Sequence, residues 1–208
     1  LGLEVYELAL VINSSHKRWD NIIFVDDSKK TIENHEQSIH KFDDLNRKFN
    51  LDSLEMCIAI GEPTVRKILF DKLRSNKITI ATLIHPDVCI AKSTQIGIGC
   101  IINKYVSITS NIILKENVYV HPMACIGHHA IIGSNSIISS FVAISGNCSV
   151  GNCTFLAINV ILKQGIKVGD NTIVGLASVV HRDIGEGVIA LGNPARPMKK
   201  NENNRVFG

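Results

Sequence analysis

Residues 126–150 have the sequence IGHHAIIGSNSIISSFVAISGNCSV, in which every sixth residue is a large aliphatic one. The same spacing continues outward in both directions, so that from Ile84 to Val180 each sixth residue is Ile, Leu or Val. The residue four positions further on is small or β-branched, and Gly, Asn or Asp often follows the aliphatic position. An uninterrupted internal repeat is a stronger guide to the fold than local propensity.

A six-residue unit with one large and one small inward side chain describes a short strand followed by a corner. Three such units close a triangular coil, and stacked coils pair their strands in parallel about 4.8 Å apart. Roughly six coils would form a prism about 27 Å long with a continuous aliphatic stack inside. The apolar spacing of 3 and 4 that marks an amphipathic helix is absent. The pattern therefore predicts an all-β parallel β-helix over residues 83–188.

Residues 1–82 lack this period and alternate helical patterns with short apolar strands. Helices are predicted at 3–12, 41–49 and 63–76, and strands at 21–25, 54–60 and 78–84. Such alternation predicts a small parallel-sheet, Rossmann-like α/β domain, whose first strand we expect to precede Leu1. Ligands on such sheets bind beyond the carboxyl ends of the strands, where Asp26, Asp27 and Gly61 fall.

The composition excludes several classes of protein. The net charge of +3 is too small to favour a nucleic-acid partner or an anionic membrane, and no apolar run approaches the roughly 20 residues of a membrane span. The six cysteines form no C-x-x-C pair, which favours small core residues in a reducing cytoplasm. We therefore expect a cytoplasmic protein without a nucleic-acid or membrane partner. The polar tail, residues 189–208, is expected to fray from Lys199 onward.

Four features together resemble the hexapeptide-repeat sugar acetyltransferases of the sialic-acid and nucleotide-amino-sugar family. They are the hexad array, FVDD at Phe24–Asp27, CIAIG at Cys57–Gly61 and GNPARP at Gly192–Pro197. The resemblance implies that the β-helix is left-handed and that residues 1–82 hold a nucleotide sugar or sugar. It also implies acetyl-CoA as co-substrate and a homotrimer with sites between adjacent prisms.

The same resemblance assigns the site residues. His128 takes the position of the general base, and His129 stands where the family usually carries Asp or Glu. Two further family histidines are replaced, by Ile137 and by Leu1. The full set of predicted site residues is His128 and His129 for catalysis, Asp26, Asp27, Gly61 and His121 for the acceptor, and Gly146, Ile158 and Gly175 for the cofactor.

Coil geometry gives an independent argument for His128. Gly146 lies eighteen residues further on, one coil above His128, and leaves open space over the imidazole. A thioester in that space would meet the Gly146 N–H, which can donate to a developing oxyanion. The rival use of these histidines is a metal site. His121 and His128 lie on successive corners, up to about 23 Å apart if the chain between them is extended, so we expect no metal centre within one subunit.

Three functions remain open from the sequence. The first is an acetyl-CoA-dependent N-acetyltransferase acting on a nucleotide-linked amino sugar. The second is an O-acetyltransferase of sialic acid or a related sugar, because a hydroxyl acceptor needs a base near the thioester as an amine does. The third is a non-catalytic β-helix sugar-binding protein, which the three replaced family residues, His129, Ile137 and Leu1, favour.

Overall fold

The structure is a computed structural model that describes residues 1–28 and 39–207. Its helices are α1 (Gly2–His16), α2 (Leu45–Lys48) and α3 (Pro63–Ser75), with 3₁₀ turns at Phe42–Asp44 and Leu51–Ser53. Outside the prism the strands are β1 (Phe24–Val25), β2 (Ile39–His40), β3 (Glu55–Met56) and β4 (Thr79–Ile80). Within these described ranges, no helix has the length and apolar character needed to cross a membrane.

The prism consists of short strands that recur every six residues from Gln95 onward. They are β5 (Leu83–Ile84), β6 (Gln95–Ile96), β7 (Ile101–Ile102), β8 (Ser107–Ile108), β9 (Ile113–Leu114), β10 (Tyr119–Val120), β11 (Cys125–Ile126), β12 (Ile131–Ile132), β13 (Ile137–Ile138), β14 (Ala143–Ile144), β15 (Ser149–Val150), β16 (Phe155–Leu156), β17 (Ile161–Leu162), β18 (Lys167–Val168), β19 (Ile173–Val174) and β20 (Val179–Val180). Each pairs in parallel with the strand eighteen residues away, as Cys125 does with Ala143. Three sheets result, and the predicted aliphatic series fills the core between them.

The corners of the prism depend on one unusual backbone position per hexad. From Ile96 to Val174, the third residue after each aliphatic one has a positive φ, as at Asn111 and His129. Asn and His tolerate the left-handed region better than most residues, and Asn fills about half of these positions. We name the three edges by their corner residues. The first edge comprises 109–112, 127–130, 145–148, 163–166 and 181–183, the second 97–100, 115–118, 133–136, 151–154 and 169–172, and the third 103–106, 121–124, 139–142, 157–160 and 175–178.

The front region, residues 1–82, lies against one face of the prism through its described residues. Helix α1 packs Val5, Leu8 and Ile12 onto that face. Helix α3 is joined to the second edge by Arg66, whose buried guanidinium donates to the backbone and side-chain oxygens of Asn117. Burial lowers the pKa of Arg66 to about 10.

The predicted elements of residues 1–82 are present, with shifted bounds. Strands β1 and β2 pair in parallel, as do β3 and β4. The strand predicted at 78–84 is divided, because Ala81 N–H donates to Met56 O in the front region whereas Leu83 N–H donates to Cys100 O in the prism. The chain therefore passes from one sheet to the other at Thr82. Part of the segment before β2, residues 29–38, lies outside the described residues.

The prediction of a frayed tail is wrong for residues 199–207. Strands β21 (Val188–Gly192) and β22 (Ala195–Lys200) form an antiparallel hairpin. Beyond it, Asn201 is buried and bound to Gly187 O through its backbone N–H. The tail is ordered because other segments of the chain bind its backbone groups.

The six cysteines are all free, and only some lie in the core. Cys100 and Cys148 are buried in the prism, whereas Cys89 and Cys125 are exposed. Burial raises the pKa of Cys100 to about 11, which keeps its thiol protonated at neutral pH.

Candidate active site

His128 and Gly146 lie in the vertical register that the repeat predicts. A Cβ atom added to Gly146 would lie 2.5 Å from Nε2 and 2.6 Å from Cε1 of His128. The imidazole therefore rests against the bare backbone of the next coil, and any side chain at position 146 would displace the ring. The open space expected between ring and glycine is filled by the ring itself. A substrate must instead approach Nε2 from the solvent side of the first edge.

The backbone of Gly146 has one group available to a ligand. Its carbonyl oxygen accepts a hydrogen bond from Gly165 N–H at 3.0 Å. No oxygen or nitrogen of residues 1–28 or 39–207 accepts a hydrogen bond from its N–H. An unpaired N–H beside an imidazole is the arrangement that stabilises an oxyanion formed next to a general base.

His128 is one end of a chain of three polar side chains on the first edge. Its Nδ1 lies 3.0 Å from Nδ1 of His129, and the two rings meet edge to face. Nε2 of His129 lies 3.2 Å from the side-chain amide of Asn111, one coil below. The sequence analysis missed Asn111. Its spacing of eighteen residues from His129 was the available signal.

Only one proton arrangement in this chain lets Nε2 of His128 accept a proton. His128 must carry its hydrogen on Nδ1 and donate it to His129, and His129 must then donate from Nε2 to an oxygen of Asn111. The amide nitrogen of Asn111 faces His129, and a half-turn about its Cβ–Cγ bond brings the oxygen to the same place. A neutral imidazole and an amide thus stand where a carboxylate would otherwise orient the base.

The first edge continues upward from Gly146 to a cationic pocket. The strand register β11–β14–β17–β20 stacks Arg182 three coils above His128, about 14 Å away at the usual strand spacing. The pocket is lined by His181, Arg182, Pro194, Ala195 and Arg196. Between the two sites, a Cβ atom on Gly165 would touch nothing. Gln164, whose side chain is exposed, lies on the coil between Gly146 and Arg182, and the two guanidinium groups of the pocket lie beyond it.

The predicted acceptor residues of the front region lie at the ends of its strands. Asp26 accepts hydrogen bonds from the backbone and side chain of Ser28, and Asp27 accepts one from Phe42 N–H at 2.8 Å. The Asp27 carboxylate also lies 3.9 Å from Nζ of Lys72. Both carboxylates are thus partly engaged within the front region.

Gly61 lies among apolar side chains. A Cβ atom there would be 3.5 Å from Cδ2 of Leu1 and 3.8 Å from Cε2 of Phe207. Leu1 and Phe207, from opposite ends of the chain, therefore both border Gly61.

His121 lies on the third edge and not beside His128. Its ring stacks on Tyr119 with centroids 4.2 Å apart. Burial lowers the pKa of His121 to about 4, although Glu4 opposes the shift, so the ring is neutral at physiological pH.

The predicted cofactor residues are divided between two edges. Gly146 is on the first edge, whereas Ile158 and Gly175 are on the third. Ile158 is exposed, and the side chain of Leu191 fills the place above Gly175. A single chain does not bring these three residues together.

The third edge also carries a row of exposed apolar side chains. They are Tyr105, Met123, Phe141, Ile158 and Leu176, each about half exposed or more. A contiguous apolar row of this kind marks an interaction surface on a folded protein. In the part of the chain that the structure describes, no three His, Cys, Asp or Glu side chains are grouped so as to hold a metal ion.

The chain is a three-sided β-helix with a histidine on one edge, joined to a small α/β region. Comparison with known proteins confirms the resemblance stated from the sequence. Residues 5–73 match the model of the PglD N-terminal domain. The left-handed β-helix fold class is confirmed by solved structures that share almost the whole chain.

Two of these structures illustrate the likeness. The acetyltransferase domain of PglB from Neisseria gonorrhoeae is 24% identical, with a TM-score of 0.85 over 92% of each chain. PerB from Caulobacter crescentus, solved with CoA and GDP-perosamine, is 23% identical, with a TM-score of 0.79 over 92% of each chain. The TM-scores show that these proteins share the fold of this chain.

A shorter sequence match concerns a curated enzyme. Galactoside O-acetyltransferase of Escherichia coli is 33% identical over 52 residues, which is 25% of this chain and 26% of that protein. The chain thus spans about a quarter of the length of this relative.

Proposed function

We propose that this chain is an acetyl-CoA-dependent N-acetyltransferase that acts on a nucleotide-linked amino sugar, with His128 as its general base. The observation that carries the proposal is the contact of the imidazole with Gly146, whose N–H has no partner among the described residues. In the proposed division of labour, residues 1–82 bind the acceptor and residues 83–188 bind acetyl-CoA.

The proposed reaction is a direct acyl transfer. The amine nitrogen of the sugar attacks the carbonyl carbon of the thioester, and Nε2 of His128 accepts the proton that the nitrogen loses. The carbonyl oxygen becomes an oxyanion, to which Gly146 N–H donates. Collapse of the tetrahedral intermediate breaks the C–S bond, and CoA leaves as a thiolate that takes the proton back from His128. General-base catalysis of this kind contributes about 10²–10⁴-fold to the rate.

In this proposal, acetyl-CoA binds lengthwise along the first edge. With the thioester at His128, the pantetheine arm would run past Gly146 and Gly165 toward Arg182 and Arg196. Guanidinium groups suit phosphate oxygens because they donate several hydrogen bonds in a fixed plane. Both the PglB domain and PerB have been solved with acetyl-CoA or CoA, which supports the same co-substrate here.

The acceptor would bind at the strand ends around Asp26, Asp27 and Gly61. PerB was solved with GDP-perosamine, a nucleotide-linked sugar, and it shares the fold of the front region. A nucleotide-linked amino sugar is therefore the acceptor class we propose, with His121 as a neutral contact at the third edge.

A homotrimer would complete the site. His128 and Gly146 lie on the first edge, whereas His121, Ile158 and Gly175 lie on the third. Packing the first edge of one prism against the third edge of another would bring these residues together and cover the apolar row. We place the assembly in the cytoplasm, in keeping with its six free cysteines.

One observation favours a second candidate, a sugar O-acetyltransferase. The curated relative with 33% identity over part of the chain is a galactoside O-acetyltransferase. The same base and N–H would serve a hydroxyl acceptor, so only the acceptor differs.

Acetyl transfer assayed on a panel of acceptors tests the proposal. The panel contains UDP- and GDP-linked amino sugars, their hydroxyl counterparts, sialic acid and a free galactoside, each with acetyl-CoA. Acetylation of an amino sugar nucleotide supports the first candidate, and acetylation only of hydroxyl acceptors supports the second. Absence of transfer to every acceptor, with the chain folded, contradicts both and favours a sugar-binding protein.

A further inference from the structure

The tail of the chain is fastened to the front region through a buried carboxylate. Glu62, which directly precedes α3, is 8% exposed. Its Oε2 accepts hydrogen bonds from Val206 N–H at 2.9 Å and from Phe207 N–H at 3.0 Å. A buried carboxylate is costly unless it is hydrogen-bonded, so the tail N–H groups and Glu62 stabilise one another.

Two further contacts hold the rest of the tail in place. Thr64 in the first turn of α3 donates its hydroxyl to Asn204 O. The amide nitrogen of Asn201 donates to Asn171 O at 2.9 Å, and its amide oxygen accepts from Arg205 N–H. Residues 201–207, the tail segment, are therefore tied both to the prism and to α3.

These contacts hold the aromatic ring of Phe207 at the strand ends of the front region. The Phe207 ring meets Phe155 edge to face, with centroids 5.9 Å apart, and borders Gly61 together with Leu1. Yet the side chain is 64% exposed, so much of the ring faces outward. The Phe207 ring is thus an exposed apolar surface at the place where the acceptor's nucleotide is proposed to bind.

We infer that Phe207 is an acceptor-binding residue whose ring stacks against the nucleobase of the nucleotide sugar. This inference rests on the proposed function and adds to it a residue that no motif of the front region contains. Stacking of a base on an aromatic ring tolerates different bases, because every base has a π-face. The tail segment would then be part of the acceptor site, positioned by Glu62.

Calorimetric titration of the full chain with UDP and with GDP tests the inference. We expect the preferred nucleotide to bind about tenfold more weakly to Phe207→Ala, within the range for loss of one stacking partner, and normally to Phe207→Trp. Met198→Ala is the matched control, because Met198 on β22 is also 64% exposed. Glu62→Gln should weaken binding by a few-fold, since a neutral amide holds the two N–H groups less tightly. The affinity for acetyl-CoA should be unchanged in every variant.

Unchanged nucleotide affinity in Phe207→Ala would overturn the inference. Tighter binding would overturn it too, and would indicate that the ring shields the site. A wild-type chain that binds neither nucleotide would also overturn it. Acetyl transfer on the same samples keeps the proposed function separate. Nucleotide binding through Phe207 without any transfer would contradict the proposed function alone, and transfer to a nucleotide-linked amino sugar with unchanged nucleotide affinity in Phe207→Ala would contradict the inference alone.

Discussion

The first and third edges of the prism have the same backbone conformation but side chains of opposite polarity. Both turn through a positive φ every eighteen residues, as at His129 on the first edge and Phe141 on the third. Outward from that backbone, the first edge presents polar side chains and bare glycine, whereas the third presents a row of large apolar side chains.

The difference shows that inward and outward residues of a hexad are selected for separate reasons. The inward series is aliphatic on every coil because it fills the core. The outward corner residues contribute little to that core, so each edge can be specialised without altering the fold. On this basis the first edge is the candidate for chemistry and the third for association.

The largest effect is expected at the imidazole. His128→Ala should lower turnover at least about a hundredfold, the low end for removal of a general base, and the chain should fold normally because this side chain is not in the core. Acetyl transfer under saturating substrates measures the loss. His16→Ala, at the exposed end of α1, is the control. Retained turnover in His128→Ala would contradict a catalytic role for the first edge.

Gly146→Ala should cost about tenfold to a hundredfold in turnover. The added methyl group would overlap Nε2 of His128 and push the ring away, and a displacement of about 1 Å can be this costly. Gly185→Ala is the matched control, because a Cβ there meets nothing within 4 Å. Steady-state kinetics and thermal unfolding are compared for both variants. Equal turnover in the two would show that the position of the ring does not matter.

A charge on the third edge should break association. Phe141→Asp would place an unpaired carboxylate in the proposed interface, so we expect monomers by light scattering and about tenfold lower activity. Lys115→Asp, an exposed charge change on the second edge, should stay trimeric. If Phe141→Asp kept the oligomeric mass of the wild-type protein, this result would contradict the proposed interface at the apolar row.

The smallest expected effect is a change in acid sensitivity. The pKa of His121 is about 4 in the folded chain and about 6.5 in an unfolded one. Between these values the unfolded chain binds the proton and the folded chain does not, so stability falls as pH drops from about 6.5 to 4. His121→Gln should flatten this part of the curve of Tm against pH. Parallel curves for the two proteins would contradict the burial of a neutral ring at the third edge.

The sequence predicts the prism almost completely, because the hexad period fixes strand spacing, register and core together. The alignment of His128 with Gly146 follows from that register. The period does not reveal side-chain rotamers, so it predicted an empty space where the imidazole lies, and it did not reveal the contact of Asn111 with His129. The period also does not predict contacts between residues that are distant in the sequence.

The tail illustrates that last limit. Its polar composition predicted fraying, yet Glu62 binds Val206 across more than half of the chain. No local pattern at either residue indicates the other. Contacts of this kind depend on the relative placement of the front region and the prism, which the repeat alone does not determine.

Arg66 has a consequence for anyone who would recombine proteins of this architecture. Its guanidinium passes from α3 into the second edge and is satisfied there by one residue of the prism, Asn117. A front region transplanted onto a foreign prism would keep the bonds from Arg66 to Ile58 O and Ile60 O but would lose those to Asn117 unless the recipient offered matching oxygens. Chimeras should therefore keep Arg66 and Asn117 together. The crossover point should be chosen first to preserve this charged hydrogen-bonded pair and only then for acceptor specificity.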